Sequence, residues 1–168
     1  MGKEIEHKFL VTSDHFRTLA EGTYYRQGYI PTVNGMTVRV RIAGDKGYLT
    51  LKDHAVGITR HEFEYCIPLE EARQLLELMC DEAQIEKHRY VIPAPDGTLP
   101  DGTPVTGLHW EVDTFHGLNE GLVVAEIEVP SEDTEFARPD WIGPEVTGDK
   151  RYYNSWLRNH KLPLDDQQ

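Results

Sequence analysis

A chain of 168 residues can build one domain with a real core, and 39% hydrophobic against 27% charged residues marks it as globular rather than disordered. Its formal net charge of −12 argues against non-specific binding to nucleic acid or an anionic membrane surface, although a local cluster of Arg and Lys can still hold an anion. No apolar run approaches the roughly 18 residues of a membrane span, no signal-peptide core is visible, and Cys66 and Cys80 have no framework spacing, so reduced thiols in a cytoplasmic protein are expected.

The first predicted strand is Glu4 to Leu10, which alternates Glu4, Glu6 and Lys8 against Ile5, His7 and Phe9. Thr12 or Ser13 can cap a short helix through about Ala20. Tyr24 to Ile30 reads as strand, with Asn34-Gly35 as a hairpin turn. Met36 to Ala43 sets Val38, Val40 and Ile42 against Thr37, Arg39 and Arg41. The turn Gly44 to Gly47 leads into Tyr48 to Lys52, and a loop from Asp53 to Ile58 precedes a strand from Arg60 to Ile67 carrying Glu62 and Glu64. After Pro68, the apolar positions Leu69, Ala72, Leu75, Leu76, Met79, Cys80 and Ala83 predict a helix over Leu69 to Ala83.

Strand writing resumes at Ile85 to Ile92, with Lys87 and Arg89 opposite His88 and Tyr90. Pro93 to Gly107 repeats Pro-Asp-Gly-Thr, as tandem turns in a long hairpin connection would. Leu108 to Phe115 carries Glu111 and Asp113, and Leu122 to Pro130 carries Glu126 and Glu128. A helical patch near Glu132 to Phe136, a Pro-rich stretch to Pro144 and a helix from about Lys150 to Asn159, capped by Asp149, complete the chain, with no linker between domains.

Seven or eight strands joined by hairpins suggest an antiparallel sheet that closes or nearly closes. One reading is a sheet whose charged face is solvated and whose apolar face packs on helices. The other is a barrel with its charges pointing inward. The paired charges are long, each strand has one dominant sign, and the apolar faces exceed what the helices would cover on a flat sheet. Interior charges are costly unless they pair, bind metal or stay wet. Clustered Arg and Lys suit phosphate oxygens, and carboxylate clusters suit hard cations such as Mg²⁺ or Mn²⁺. The inward reading therefore describes a site for metal-bound polyphosphate.

Glu4-x-Glu6-x-Lys8 resembles the N-terminal signature of the CYTH superfamily, the triphosphate tunnel metalloenzymes. The later pairs follow in that family's order: Arg39-x-Arg41, Leu49 to Lys52, Glu62-x-Glu64, Lys87-x-Arg89, Glu111-x-Asp113 and Glu126-x-Glu128. Arg26 to Tyr29 and Glu145 to Asn154 resemble segments of its small bacterial members. The resemblance implies an α+β, mainly β fold: an eight-stranded antiparallel closed or nearly closed tunnel barrel, with helices packed outside, as a single domain over 1–168. It further implies hydrolysis of inorganic triphosphate to pyrophosphate and phosphate with Mg²⁺ or Mn²⁺. A class IV adenylyl cyclase, a thiamine or nucleoside triphosphatase, and a non-catalytic polyphosphate-binding module are the alternatives.

On this resemblance Glu4, Glu6, Glu126 and Glu128 are the expected metal ligands, and Arg39, Arg41, Lys52, Lys87 and Arg89 the phosphate-binding cations. Glu62, Glu64, Glu111 and Asp113 orient those cations or hold a second metal. Tyr29 accepts a proton from water, with Lys8 favouring its phenolate. His7, His61 and His88 fall on the opposite strand faces, where packing or surface roles are expected.

Overall fold

A computed structural model of the chain describes residues 5–53 and 61–163. Glu4, Arg60 and most of the predicted Asp53 to Ile58 loop lie outside the described residues. The elements are β1 (Ile5–Val11), β2 (Gly22–Ile30), β3 (Thr37–Ala43), β4 (Lys46–Lys52), β5 (Glu62–Ile67), α1 (Leu69–Leu78), β6 (Ile85–Pro93), β7 (Gly97–Thr98), β8 (Pro104–Val105), β9 (His109–Phe115), β10 (Val123–Val129), β11 (Ile142–Glu145) and α2 (Asn154–Leu157). The fold is mainly β, its ladders antiparallel and its helices few.

The chain divides into two compact units, Met1–Gly22 with His88–Gln168, and Thr23–Lys87. In the first the strand order is β11-β1-β10-β9-β6, and in the second β6-β2-β3-β4-β5. Among the described residues nine strands take part in these two orders, where eight were expected. The extra one is β11, which carries Pro144 and sits at the end of its order, where a missing N–H breaks no central ladder.

The first unit's core gathers Phe9, Phe16, Trp110, Val112, Ile127 and Trp141. Irregular chain supplies much of its cover. A single 3₁₀ turn, His15–Thr18, replaces the predicted helix after Ser13 and buries Phe16. The predicted patch at Glu132 to Phe136 is not helical either, because Glu135 exchanges backbone hydrogen bonds of 2.9 and 2.8 Å with Thr98. A Cβ on Gly97 would lie 2.6 Å from the Glu135 carbonyl oxygen, so that approach needs glycine.

In the second unit Ala72 and Leu76 of α1 pack with Val40 and Ile42, the β3 residues that alternate with Arg39 and Arg41. A Cβ on Gly47 would come within 2.7 Å of Ala72 Cβ, so this glycine lets α1 lie close against β4. The helix ends at Leu78, short of Ala83. Met79 leaves helical geometry with φ −123°, and the Tyr29 carbonyl accepts the Asp81 N–H at 2.9 Å, which ties the chain back to β2. The predicted C-terminal helix is likewise broken, into a 3₁₀ turn, Lys150–Tyr152, and α2. Among the described residues no helix is long and apolar enough to cross a membrane.

Candidate active site

Antiparallel register builds an acidic cluster in the first unit. Lys8 stands opposite Glu126, Glu126 opposite Glu111, and Glu6 opposite Glu128. Lys8 is buried, and its Nζ lies 3.1 Å from Glu126 Oε1. Glu6 is exposed as a residue, yet its carboxyl is pushed up to about 7. Partial burial of the carboxyl is the first cause, followed by the charge of Glu126 and a hydrogen bond with it; Lys8 opposes the shift and Glu128 adds to it. Arg89 is fully engaged. Its Nε and Nη2 donate to the two oxygens of Asp113 at 2.8 and 2.9 Å, and its Nη1 donates to Glu111 at 2.7 Å. Glu111 and Asp113 are thereby both paired with one guanidinium.

A basic cluster grows from the second unit by the same rule. Tyr29 stands opposite Arg39, Arg39 opposite Thr50, and Thr50 opposite Glu64; Gln27 stands opposite Arg41 and Lys52 opposite Glu62. Fully buried Thr50 accepts from Arg39 Nη2 at 3.3 Å and donates to Glu64 at 3.0 Å. Buried Gln27 accepts from Arg41 Nε at 3.0 Å. The rings of this cluster take part too: Arg41 and Lys87 lie 5.5 and 5.9 Å from the Tyr25 ring centre. Lys87 is 0% exposed. The ion pairs Arg39–Glu64 and Lys52–Glu62 are long, at 3.6 and 3.8 Å, and both carboxylates are nearly half exposed. Arg39 Nε is buried and has no hydrogen-bond partner among the described residues.

The two clusters carry opposite excess charge. The acidic one sets five carboxylates (Glu6, Glu111, Asp113, Glu126, Glu128) against Lys8 and Arg89. The basic one sets Arg39, Arg41, Lys52 and Lys87 against Glu62 and Glu64. Among the described residues no three His, Cys, Asp or Glu are gathered closely enough to enclose an ion by themselves. The donor set of the acidic cluster is nonetheless all carboxylate oxygen, and a carboxyl held near 7 by burial and by the charge of Glu126 is one that a hard cation would ionise.

His7, His61 and His88 have partners outside the two clusters: His7 pairs with Glu145, His61 with Asp53 and His88 with His116. The capping role of Asp149 is also present, its carboxylate accepting the Arg151 N–H at 3.1 Å. Gln27, Thr50 and Tyr25 were not singled out from sequence. The available signal was parity, since they alternate in step with Tyr29 and Lys52 on their own strands.

A family model described as the CYTH domain matches residues 2–153. The chain belongs to the CYTH family. Its CYTH relatives include an inorganic triphosphatase of Acetivibrio thermocellus, 52% identical over 157 residues and covering 94% of either chain. An inorganic triphosphatase of Nitrosomonas europaea is 35% identical over 161 residues, covering 92% of this chain and 95% of that one. The crystal structure of an inorganic triphosphatase matches with a TM-score of 0.66 at 34% identity, covering 94% of this chain and 95% of that one.

Proposed function

We propose that this CYTH chain hydrolyses inorganic triphosphate: water attacks a terminal phosphorus, one phosphoanhydride bond breaks, and pyrophosphate and phosphate leave. The separation of excess charge carries the reading, with the orphaned Arg39 Nε as its sharpest detail: a buried donor in a cationic cluster is completed by an anionic oxygen. Two relatives that match nearly the whole chain and are named inorganic triphosphatases support it. The family match runs through both units, and we take them as one functional domain.

Arg39, Arg41, Lys52 and Lys87 bind the phosphates and offset the charge that develops on the transferred phosphoryl group. Arg89, already neutralised by Glu111 and Asp113, contributes by fixing those carboxylates and the strand that also carries Lys87. Glu62 and Glu64 steady Lys52 and Arg39. Tyr29 and Lys8 form the proton-transfer pair. Glu6, Glu126 and Glu128, with Glu4, would hold Mg²⁺ or Mn²⁺, which supplies charge neutralisation to the phosphates and acidity to bound water. The free thiols of Cys66 and Cys80 fit a reducing compartment such as the cytoplasm.

Incubating the protein with Mg²⁺ and, separately, triphosphate, ATP or thiamine triphosphate, and identifying the products, tests the proposal. Phosphate and pyrophosphate from triphosphate are the expected outcome. Cyclic AMP from ATP would make it a cyclase, and tight triphosphate binding without phosphate release would make it a binding module.

A further inference from the structure

The C-terminal segment holds Lys8 from several sides. The Lys8 N–H donates to Thr147 Oγ1 at 2.9 Å, and the Lys8 carbonyl accepts from the Val146 N–H at 2.8 Å. These bonds lie just beyond the Phe9–Glu145 pair, where the β1–β11 ladder ends, so the Thr147 hydroxyl serves where a regular strand partner would. The same hydroxyl donates to Glu145 at 2.6 Å, and Glu145 also pairs with His7 at 2.8 Å. Gly148, at φ +82°, then reverses the chain into the 3₁₀ turn.

That reversal brings the Tyr152 carbonyl to 3.1 Å from Lys8 Nζ, and the Tyr153 ring centre to 5.0 Å from it. An ammonium has three N–H donors. Here Glu126, a main-chain carbonyl and a ring face meet it. Tyr152 is buried, and buried Asn119 anchors the chain beyond it by bonding the carbonyls of Leu157 and His160 and the N–H of Leu162. Lysine is otherwise a charge on a flexible four-carbon stem. Fixing it during folding leaves nothing to reorganise when charge develops at the reacting centre.

We propose that Thr147–Tyr153 is a positioning element for Lys8, and that Tyr153 is a positioning residue in triphosphate hydrolysis through its ring face rather than its hydroxyl. This inference rests on the triphosphatase reading and on the part given there to Lys8.

The test compares full-length Tyr153→Leu and Tyr153→Phe with the unaltered protein, using inorganic triphosphate and Mg²⁺ and separating kcat from KM. Tyr153→Leu should lower kcat about tenfold, the size a partly buried cation–π contact allows, with KM within about twofold. Tyr153→Phe should restore most of kcat. Unchanged kcat in Tyr153→Leu, a rise in KM alone, or equal damage in Tyr153→Phe would each overturn the inference. If Tyr153→Leu does not fold, Thr147→Val decides: a kcat loss rescued by Thr147→Ser supports the inference, and no loss overturns it. Full turnover in Lys8→Met, with the unaltered enzyme active, removes the role of Lys8 and this inference together while leaving the triphosphatase reading intact. Absence of phosphate release by the unaltered protein removes that reading as well.

Discussion

The two clusters solve opposite problems with one device. In the acidic cluster the cations are the satisfied partners: Arg89 spends its donors on Asp113 and Glu111, and Lys8 rests on Glu126. The excess here is negative, and Glu6 holds its proton to about 7, first through burial and then through the charge of Glu126. In the basic cluster the carboxylates sit half exposed at long range, while Arg39 is mostly buried and its Nε meets no acceptor among the described residues. Burying charge costs stability, so each imbalance is best understood as suited to a ligand of opposite sign. The acidic cluster has the oxygen donors a divalent cation takes, and the basic one the N–H donors a polyphosphate takes.

The largest expected effects set the clusters directly against each other. Arg39→Ala removes a phosphate donor and should lower kcat/KM by about 10²–10³, at saturating as well as limiting Mg²⁺. Glu126→Ala should cause a loss of similar size, about 10²-fold or more, accompanied by a rise in the Mg²⁺ concentration needed for half-maximal rate. Titrating both variants with Mg²⁺ is the measurement. If Arg39→Ala shifted the metal requirement and Glu126→Ala did not, the assignment of cation to one cluster and anion to the other would be reversed. Tyr29→Phe should come next, with kcat down about a hundredfold and both KM and metal dependence kept, as the proton-transfer role proposed for it requires. Unchanged turnover would remove Tyr29 from the mechanism.

How much of this was legible in the sequence depends on what fixes each contact. The strand pairs were legible because a period of two is a property of the chain itself, and Arg39, Arg41, Glu126 and Glu128 fall where alternation put them. Gln27 and Thr50 share that parity but are short and neutral, so their value appears only once register sets them opposite Arg41 and beside Arg39. The hold on Lys8 was not legible. It relies on a backbone carbonyl and on a hydroxyl just past the end of a ladder, neither of which side-chain type announces. The cover of the first core was missed for a related reason: Phe16 and Trp141 arrive on a 3₁₀ turn and irregular chain, where no period exists to read.

A smaller effect probes the acidic cluster alone. A carboxyl whose folded pKa stands near 7 against an ordinary 4.5 binds more protons folded than unfolded between those values. For this group, then, stability of the metal-free protein falls as pH rises from about 4.5 to about 7, the reverse of a salt-bridged carboxylate. A divalent cation favours the ionised form, so Mg²⁺ binding near pH 6 should release up to about one proton, and affinity should rise with pH until the group is ionised. Calorimetry in buffers of different ionisation enthalpy measures that proton. Glu6→Gln should abolish the release; release that persists in Glu6→Gln would locate the proton elsewhere.

The smallest effect separates preorganisation from charge in the basic cluster. Thr50 is fully buried, accepts from Arg39 and donates to Glu64, so it fixes a guanidinium without adding charge of its own. Thr50→Val keeps the shape and removes both bonds. One lost hydrogen bond to a charged group is worth about 1.5–3 kcal/mol at most, and Arg39 can recover part of that from Glu64, so a few-fold fall in kcat/KM is expected. Thr50→Ser should restore it. The contrast with Arg39→Ala carries the information: the cluster's charge should matter about a hundredfold and its alignment only a few-fold. If Thr50→Val were as damaging as Arg39→Ala, orientation of the guanidinium rather than its charge would dominate the part that the basic cluster plays.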